Sequence, residues 1–295
     1  MYTLLEQHKL HVPRQLPAGP LLGASLLTRL DRSIVFRGHA IKYVLRGTEH
    51  YHVNGRPFAV KADQYLVANP ISEGRIDLES ANPVAGLCAD LPRAFVDGMV
   101  TACTRPDELE RTSLDHFFNS HEFPENRYDA ARTNTGLLMR DLARRIHDTP
   151  HHPWRIPLDV YLQLAEAYVA DHRQLVPLLH RVKAARTSTR KEIFRGLERA
   201  RQLMHEHLAE PLDVDAMARA AGMSTFHFFR AFRSVHGTTP HRYRIDLRLE
   251  KAAELLRTGK LHAMEAALHC GFPDLPSFSK AFKKRFGVPP SMMRS

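Results

Sequence analysis

Cysteine is scarce in this chain of 295 residues: Cys88, Cys103 and Cys270 are the whole complement. An odd number of scattered thiols argues against a disulfide framework or a cysteine-based zinc site, and fits a reducing cytoplasm. Cys88 lies in an apolar run and reads as core, with nothing nearby in sequence to suggest the exposed, acidified thiol of a redox sensor. Long apolar runs are also missing. No stretch reaches the roughly 18 residues that a membrane span needs, so no membrane partner is expected. The opening MYTLLEQHKLHVPRQLP has no basic stretch followed by an apolar one, and no secretory leader is read there. A nucleophile elbow, a phosphate loop and a paired-cysteine motif are absent too, so neither a catalytic residue nor a cofactor is assigned.

What is present is an ordinary globular composition, 43% hydrophobic and 25% charged. The length suits two domains, each able to bury a core. The net charge is +10, and its placement is uneven. From Arg186 onward 20 Lys and Arg face 11 Asp and Glu, so +9 of the excess sits in the last third. Concentrated positive charge points to a polyanion, with nucleic acid as the default candidate.

The first 90 or so residues alternate as strands do. Ile41, Tyr43 and Leu45 alternate with Lys42 and Arg46, Tyr51 and Val53 with His50 and His52, and Phe58 and Val60 with Pro57 and Ala59. Asn54-Gly55 between the last two runs favours a tight hairpin. Tyr65–Ala68, Ile76–Leu78 and Val84–Leu87 add strands, and the spacing suggests a sandwich or barrel. After Pro92 the period becomes helical. Leu138, Leu142 and Ile146 form one stripe, and Tyr161, Leu164, Ala165 and Tyr168 form another on a helix from Leu158 toward Val169. A third, shorter helix follows Pro177. These helices either cover the barrel or pair two copies. The basic stretch from Lys183 to Arg190 reads as a linker, with Thr189 as a cap for a helix starting near Arg190. The domains expected are 1–183, a linker 184–190, and 191–295.

The last hundred residues repeat. Leu197-Glu198-Arg199-Ala200 matches Leu249-Glu250-Lys251-Ala252 at an offset of 52, as Leu203-Met204 does Leu255-Leu256. At an offset of 50, Phe228, Arg230, Ala231, Phe232 and Arg233 match Phe278, Lys280, Ala281, Phe282 and Lys283, and Gly237 and Pro240 match Gly287 and Pro290. Each copy reads as a long helix (Lys191–His207, His241–Arg257), a short helix (Asp213–Ala221, Ala263–Cys270), a glycine turn, and a further helix capped by Ser224 or Asp274 that ends before Gly237 or Gly287. Short helix, glycine turn, second helix is the helix-turn-helix pattern, whose second helix enters the DNA major groove. The phenylalanines, four apart, should be buried. Arg230 and Arg233, like Lys280 and Lys284, should face outward to phosphates or base edges.

The stretch GFPDLPSFSKAFKKRFGVPPSMMR closely resembles the C-terminal signature of the AraC-type (AraC/XylS) transcription regulators, and LDVDAMARAAGMSTFHFFRAFRSVHGTTPHRYR resembles their first helix-turn-helix. The resemblance covers roughly Lys191 to Arg294. It implies an α+β chain whose C-terminal all-α domain carries two helix-turn-helix units joined by a rigid helix, His241–Arg257, with recognition helices in successive major grooves about 34 Å apart. Matched by position, the DNA-facing residues would be Thr225, Phe226, Phe229, Arg230 and Arg233 on the first recognition helix, and Leu275, Ser277, Lys280 and Lys284 on the second. Phe229, where a small or polar residue is common, either meets a thymine methyl or packs. Pro276, early in the second helix, removes a donor and weakens base reading there. The stretch YVLRGTEHYHVNGRPFAVKADQYLVANP resembles, more loosely, the cupin-like N-terminal barrel of these regulators, which commonly binds a small effector or dimerises. The partners implied are promoter DNA, an effector, a second copy of the chain and RNA polymerase.

The rival reading is a metal-dependent cupin enzyme fused to a DNA-binding domain. His50 and His52 share a strand face, as a metal pair would. No glutamate follows at the right distance, and no histidine falls near Asn69–Glu73. If Tyr51 and Val53 face the interior, the histidines face out, so no metal ligand is assigned. His151-His152, beside prolines, reads as loop.

Overall fold

A computed structural model of the chain describes residues 2–6, 19–104, 108–149, 155–259 and 261–293. His151-His152 and the opening segment beyond residue 6 lie outside these. Two compact units emerge, Met1–Pro177 and Leu178–Ser295. Among the described residues no helix is long and apolar enough to cross a membrane.

The first unit is a nearly closed β-barrel with helices. Its strands are β1 (Tyr2–Glu6), β2 (Leu21–Val35), β3 (Gly38–Arg46), β4 (Thr48–Val53), β5 (Arg56–Lys61), β6 (Gln64–Ala68), β7 (Glu73–Pro92) and β8 (Asn126–Asp129). They pair in the order β1-β2-β7-β3-β6-β8, with β4 joined to β5 and β7. One edge of β7 serves two partners: Gly74–Asp77 pairs with β4 and Ala85–Pro92 with β3, which rolls the sheet. The two short strands expected at Ile76 and Val84 are therefore one. At the β4–β5 turn Asn54 and Gly55 both take positive φ, 50° and 75°, which suits a mirror-image hairpin turn. Leu27, Val44, Tyr51, Val53, Val60, Leu66, Ile76 and Val84 fill the interior.

Helices α1 (Arg93–Cys103), α2 (Glu108–Asn119), α3 (Asn134–Asp148), α4 (Leu158–Arg173) and α5 (Leu175–His180) follow. On α4 the expected stripe of Tyr161, Leu164, Ala165 and Tyr168 is buried. On α3 the buried face is Thr135, Met139, Ala143 and Ile146, so Leu138 and Leu142 sit on its flank rather than at its centre. The helix expected after Pro177 begins before it, with proline inside the first turn of α5, where a missing amide costs nothing.

The second unit is all-α: α6 (Thr187–Glu206), α7 (Val214–Ala221), α8 (Thr225–His236), α9 (Pro240–Arg257), α10 (Ala263–His269) and α11 (Leu275–Phe286). Helix α6 starts at Thr187, so Thr187–Arg190, read as linker, is its first turn. The residue ahead of it is Arg186, which makes no side-chain cap bond; Thr189 is not the cap. The segment before α6 is anchored to its own unit: Ser234 Oγ donates to the Arg181 carbonyl at 3.1 Å and Arg181 Nη1 to the Val235 carbonyl at 3.3 Å.

Candidate nucleic-acid interface

The doubled sequence folds as a doubled structure. In the first copy Asp213 caps α7 by accepting the Ala216 amide at 2.6 Å, and Gly222 ends it at φ 69°. Ser224 then caps α8. In the second, the Glu265 side chain takes the His262 amide at 2.7 Å, Gly271 makes the turn at φ 77°, and Asp274 caps α11 through the Ser277 amide at 2.7 Å. Phe228 and Phe232, like Phe278 and Phe282, are wholly buried. That burial fixes which face of each second helix is left for solvent.

On α8 the exposed face carries Thr225, Phe226, Phe229, Arg230 and Arg233, all five residues expected there. Phe226 is 72% exposed, a large apolar surface to leave in water. The Arg230 guanidinium lies 5.4 Å from its ring centroid. This stacking holds the arginine extended along the helix surface. Thr225 Oγ1 is engaged, donating to Asp215 at 2.6 Å. On α11 Ser277, Lys280 and Lys284 are exposed as expected, but Leu275 is half-buried and packs on the core of its own unit. Its leucine side chain follows the apolar stripe of Phe278 and Phe282, one helical turn on. Ser277 Oγ bonds to Asp274 at 3.1 Å, so it serves the cap. Pro276 stands in the first turn, where no intrahelical amide bond is lost.

Sequence reading missed the braces between the copies. Arg248 of α9 donates to the carbonyls of Leu208, Ala209 and Glu210 in the α6–α7 loop, and to that of Gly271 in the second turn. Arg244 donates to the carbonyls of His207, Glu210 and Leu212. A Cβ on Gly271 would stand 2.3 Å from the Ala209 carbonyl oxygen, so the turn of one copy lies directly on the loop of the other. The reading also missed Lys183 and His227. With Arg230, Ser234 and Ile193 they line a cavity of about 300 Å³ beside α8. Among the described residues no carboxylate lines it, which suits an anion.

A second site lies inside the barrel, a cavity of about 200 Å³. Its walls are largely apolar (Leu27, Leu30, Ile76, Leu87), with Lys42, Glu49, Tyr51, Cys88 and Asp90 contributed by β3, β4 and β7 and Arg32 by β2. Tyr51 donates to Glu49 at 2.6 Å. Burial pushes the carboxyls of Glu49 and Asp90 and the Cys88 thiol above their ordinary values, against the pull of the Lys42 charge. Burial works to lower the Lys42 ammonium, but the negative charges around it outweigh that and hold it above the usual lysine value. Because Glu49, Tyr51 and Val53 turn inward along β4, His50 and His52 are exposed on the outer face, away from this cavity. That orientation leaves the metal-dependent cupin enzyme without its ligand pair.

Comparison with known proteins fits this geometry. A family model described as a helix-turn-helix domain matches residues 217–295. The chain is 34% identical over 120 residues to the HTH-type transcriptional regulator GbdR of Pseudomonas aeruginosa, covering 41% of this chain and 30% of that protein. It is 35% identical over 91 residues to the HTH-type transcriptional activator RhaS of Escherichia coli O157:H7, covering 31% and 33% respectively. The chain thus spans about a third of the length of the curated relatives it matches. A solved AraC-type regulator structure from Chromobacterium violaceum matches at 33% identity over 33% of this chain and 88% of that one, with a TM-score of 0.32.

Proposed function

Because this chain belongs to the AraC-type family of transcription regulators, we propose that it binds promoter DNA sequence-specifically, with α8 and α11 in successive major grooves. The observation that carries this is the repeated pair of buried phenylalanines with exposed cations on the opposite face of each second helix. The arginine braces of α9 support a fixed spacing between the two heads. Arg230 is the candidate base reader, and an arginine pairs bidentately with guanine. Phe226 and Phe229 offer contact to thymine methyls. Lys280 and Lys284, on a helix whose first turn lacks the Pro276 amide, hold phosphate. Lys183 and His227 hold a further phosphate beside α8. Binding of labelled duplex at rising salt tests the reading: the logarithm of affinity should fall linearly with the logarithm of salt, with a slope set by the phosphates contacted. Affinity that does not change with salt would overturn it.

The barrel cavity supports an effector-responsive regulator, whose ligand is a small, largely apolar molecule with polar groups. Ligand screening by thermal shift, followed by DNA binding with and without each hit, tests this part. Leu158 and Leu162, exposed one turn apart on α4, support assembly as a homodimer. If residues 1–183 sediment as a monomer at working concentration, this assembly is wrong. RNA polymerase is the remaining partner of this reading, together with action in the cytoplasm.

A further inference from the structure

Lys42 and Cys88 are directly opposed on the antiparallel strands β3 and β7. Their proximity is set by strand register rather than by rotamer choice, since opposed residues have Cβ atoms about 4.5–5.5 Å apart. Lys42 Nζ lies 2.6 Å from Cys88 Sγ. The ammonium donates to the sulfur in a short hydrogen bond. Their separation is one that a single bridging oxygen atom can span. Both side chains line the barrel cavity, which gives a small oxidant access without unfolding. Cys103 provides the contrast: among the described residues the charges acting on its thiol are Glu166 and Arg173, a carboxylate and a guanidinium rather than an amine.

We propose that Lys42 and Cys88 form a reversible oxidative cross-link in which a single oxygen joins Nζ to Sγ. Hydrogen peroxide is the oxidant. One peroxide converts the thiol to a sulfenic acid and releases water. The Lys42 amine, freed when its proton leaves to solvent, reacts with a second peroxide to give a hydroxylamine and release a second water. Condensation of the two expels a third water and leaves N–O–S. Four electrons pass from the pair to two peroxides. Four-electron reduction by excess thiol returns amine, thiol and one water. The cross-link staples β3 to β7 and removes the Lys42 cation from the cavity.

The test is peptide mass mapping of the full-length protein after peroxide treatment, a chemical readout independent of DNA binding. The expected product joins the Lys42 and Cys88 peptides with one oxygen gained and two hydrogens lost. Excess thiol should reverse it, and it should be absent from Cys88→Ser and Lys42→Arg. Cys103 in the same digest should show no amine adduct. Recovery of Cys88 as a free thiol would overturn the proposal, as would its passage to sulfinic acid with Lys42 unmodified. Both are read on the unmutated chain, so a variant that misfolds does not rescue the idea.

Discussion

Arg248 Nη1 donates to the carbonyl oxygen of Gly271 at 2.8 Å while Nε of the same guanidinium reaches the Leu208 carbonyl at 2.7 Å. One side chain thus ties the turn of the second helix-turn-helix to the loop of the first. Hydrogen bonds to a charged group contribute about 1.5–3 kcal/mol. Arg248→Met should lower stability by about that amount. It should also weaken binding to a two-block site more than to a single block, because the spacing is no longer held. Unfolding by urea and binding to both duplexes measure this. Equal loss on both duplexes would show that Arg248 does not set the spacing.

Two glycines with similar backbone angles should respond differently to the same change. Gly237 ends α8 at φ 69° with open space where a Cβ would go. Gly271 has φ 77° and the Ala209 carbonyl in that space. Gly237→Ala should cost only the left-handed backbone penalty, about 1–2 kcal/mol. Gly271→Ala adds a clash with backbone and should cost several kcal/mol, read as a larger drop in urea midpoint.

Arg230→Ala should weaken binding to the preferred site by about 1–3 kcal/mol and relax specificity at one position. An equal loss on random duplex would mark Arg230 as a phosphate contact. Phe226→Ala should reduce the effect of removing Arg230, since the ring supports the guanidinium; a double-mutant cycle measures that coupling.

Lys183→Ala should lower affinity on preferred and random duplexes alike, and reduce the salt slope by about 1. A change of preferred sequence in this variant would instead assign Lys183 to base reading.

His39 and His172 sit in an aromatic cluster with Phe118, Phe123 and Tyr168. Burial, aided by the charge of His172, lowers the His39 imidazole from 6.5 to about 3, and burial lowers His172 as well. The unfolded chain takes up these protons near 6.5 and the folded one resists, so stability is full above that pH and falls below it. Each group removes about 1.4 kcal/mol per pH unit until its folded value is reached. Urea unfolding should therefore show a steep loss from pH 6.5 to 5, and His39→Phe should flatten it. A pH-independent midpoint over that range would contradict the account.

The C-terminal unit was legible because its constraint is local and doubled. Phe228/Phe232 and Phe278/Phe282 give the helical period, and glycines at both turns and both ends give the boundaries. Strand β2 was not legible, because the register shifts between Leu27 and Arg29 and breaks the alternation. Leu275 was assigned outward by position alone, yet its side chain continues the apolar stripe. Arg244, Arg248 and the Lys42–Cys88 pair stayed hidden for another reason. Their partners lie 23 to 46 residues away, and only the folded chain brings them together.

Selection of bound sites from random duplex DNA with the full-length protein, at physiological salt, tests the central claim most directly. The expected result is a motif of two blocks about one helical turn, roughly 34 Å, apart. An enriched pool with no common motif, from protein that binds DNA well, would contradict it: the basic unit would then hold DNA without reading it.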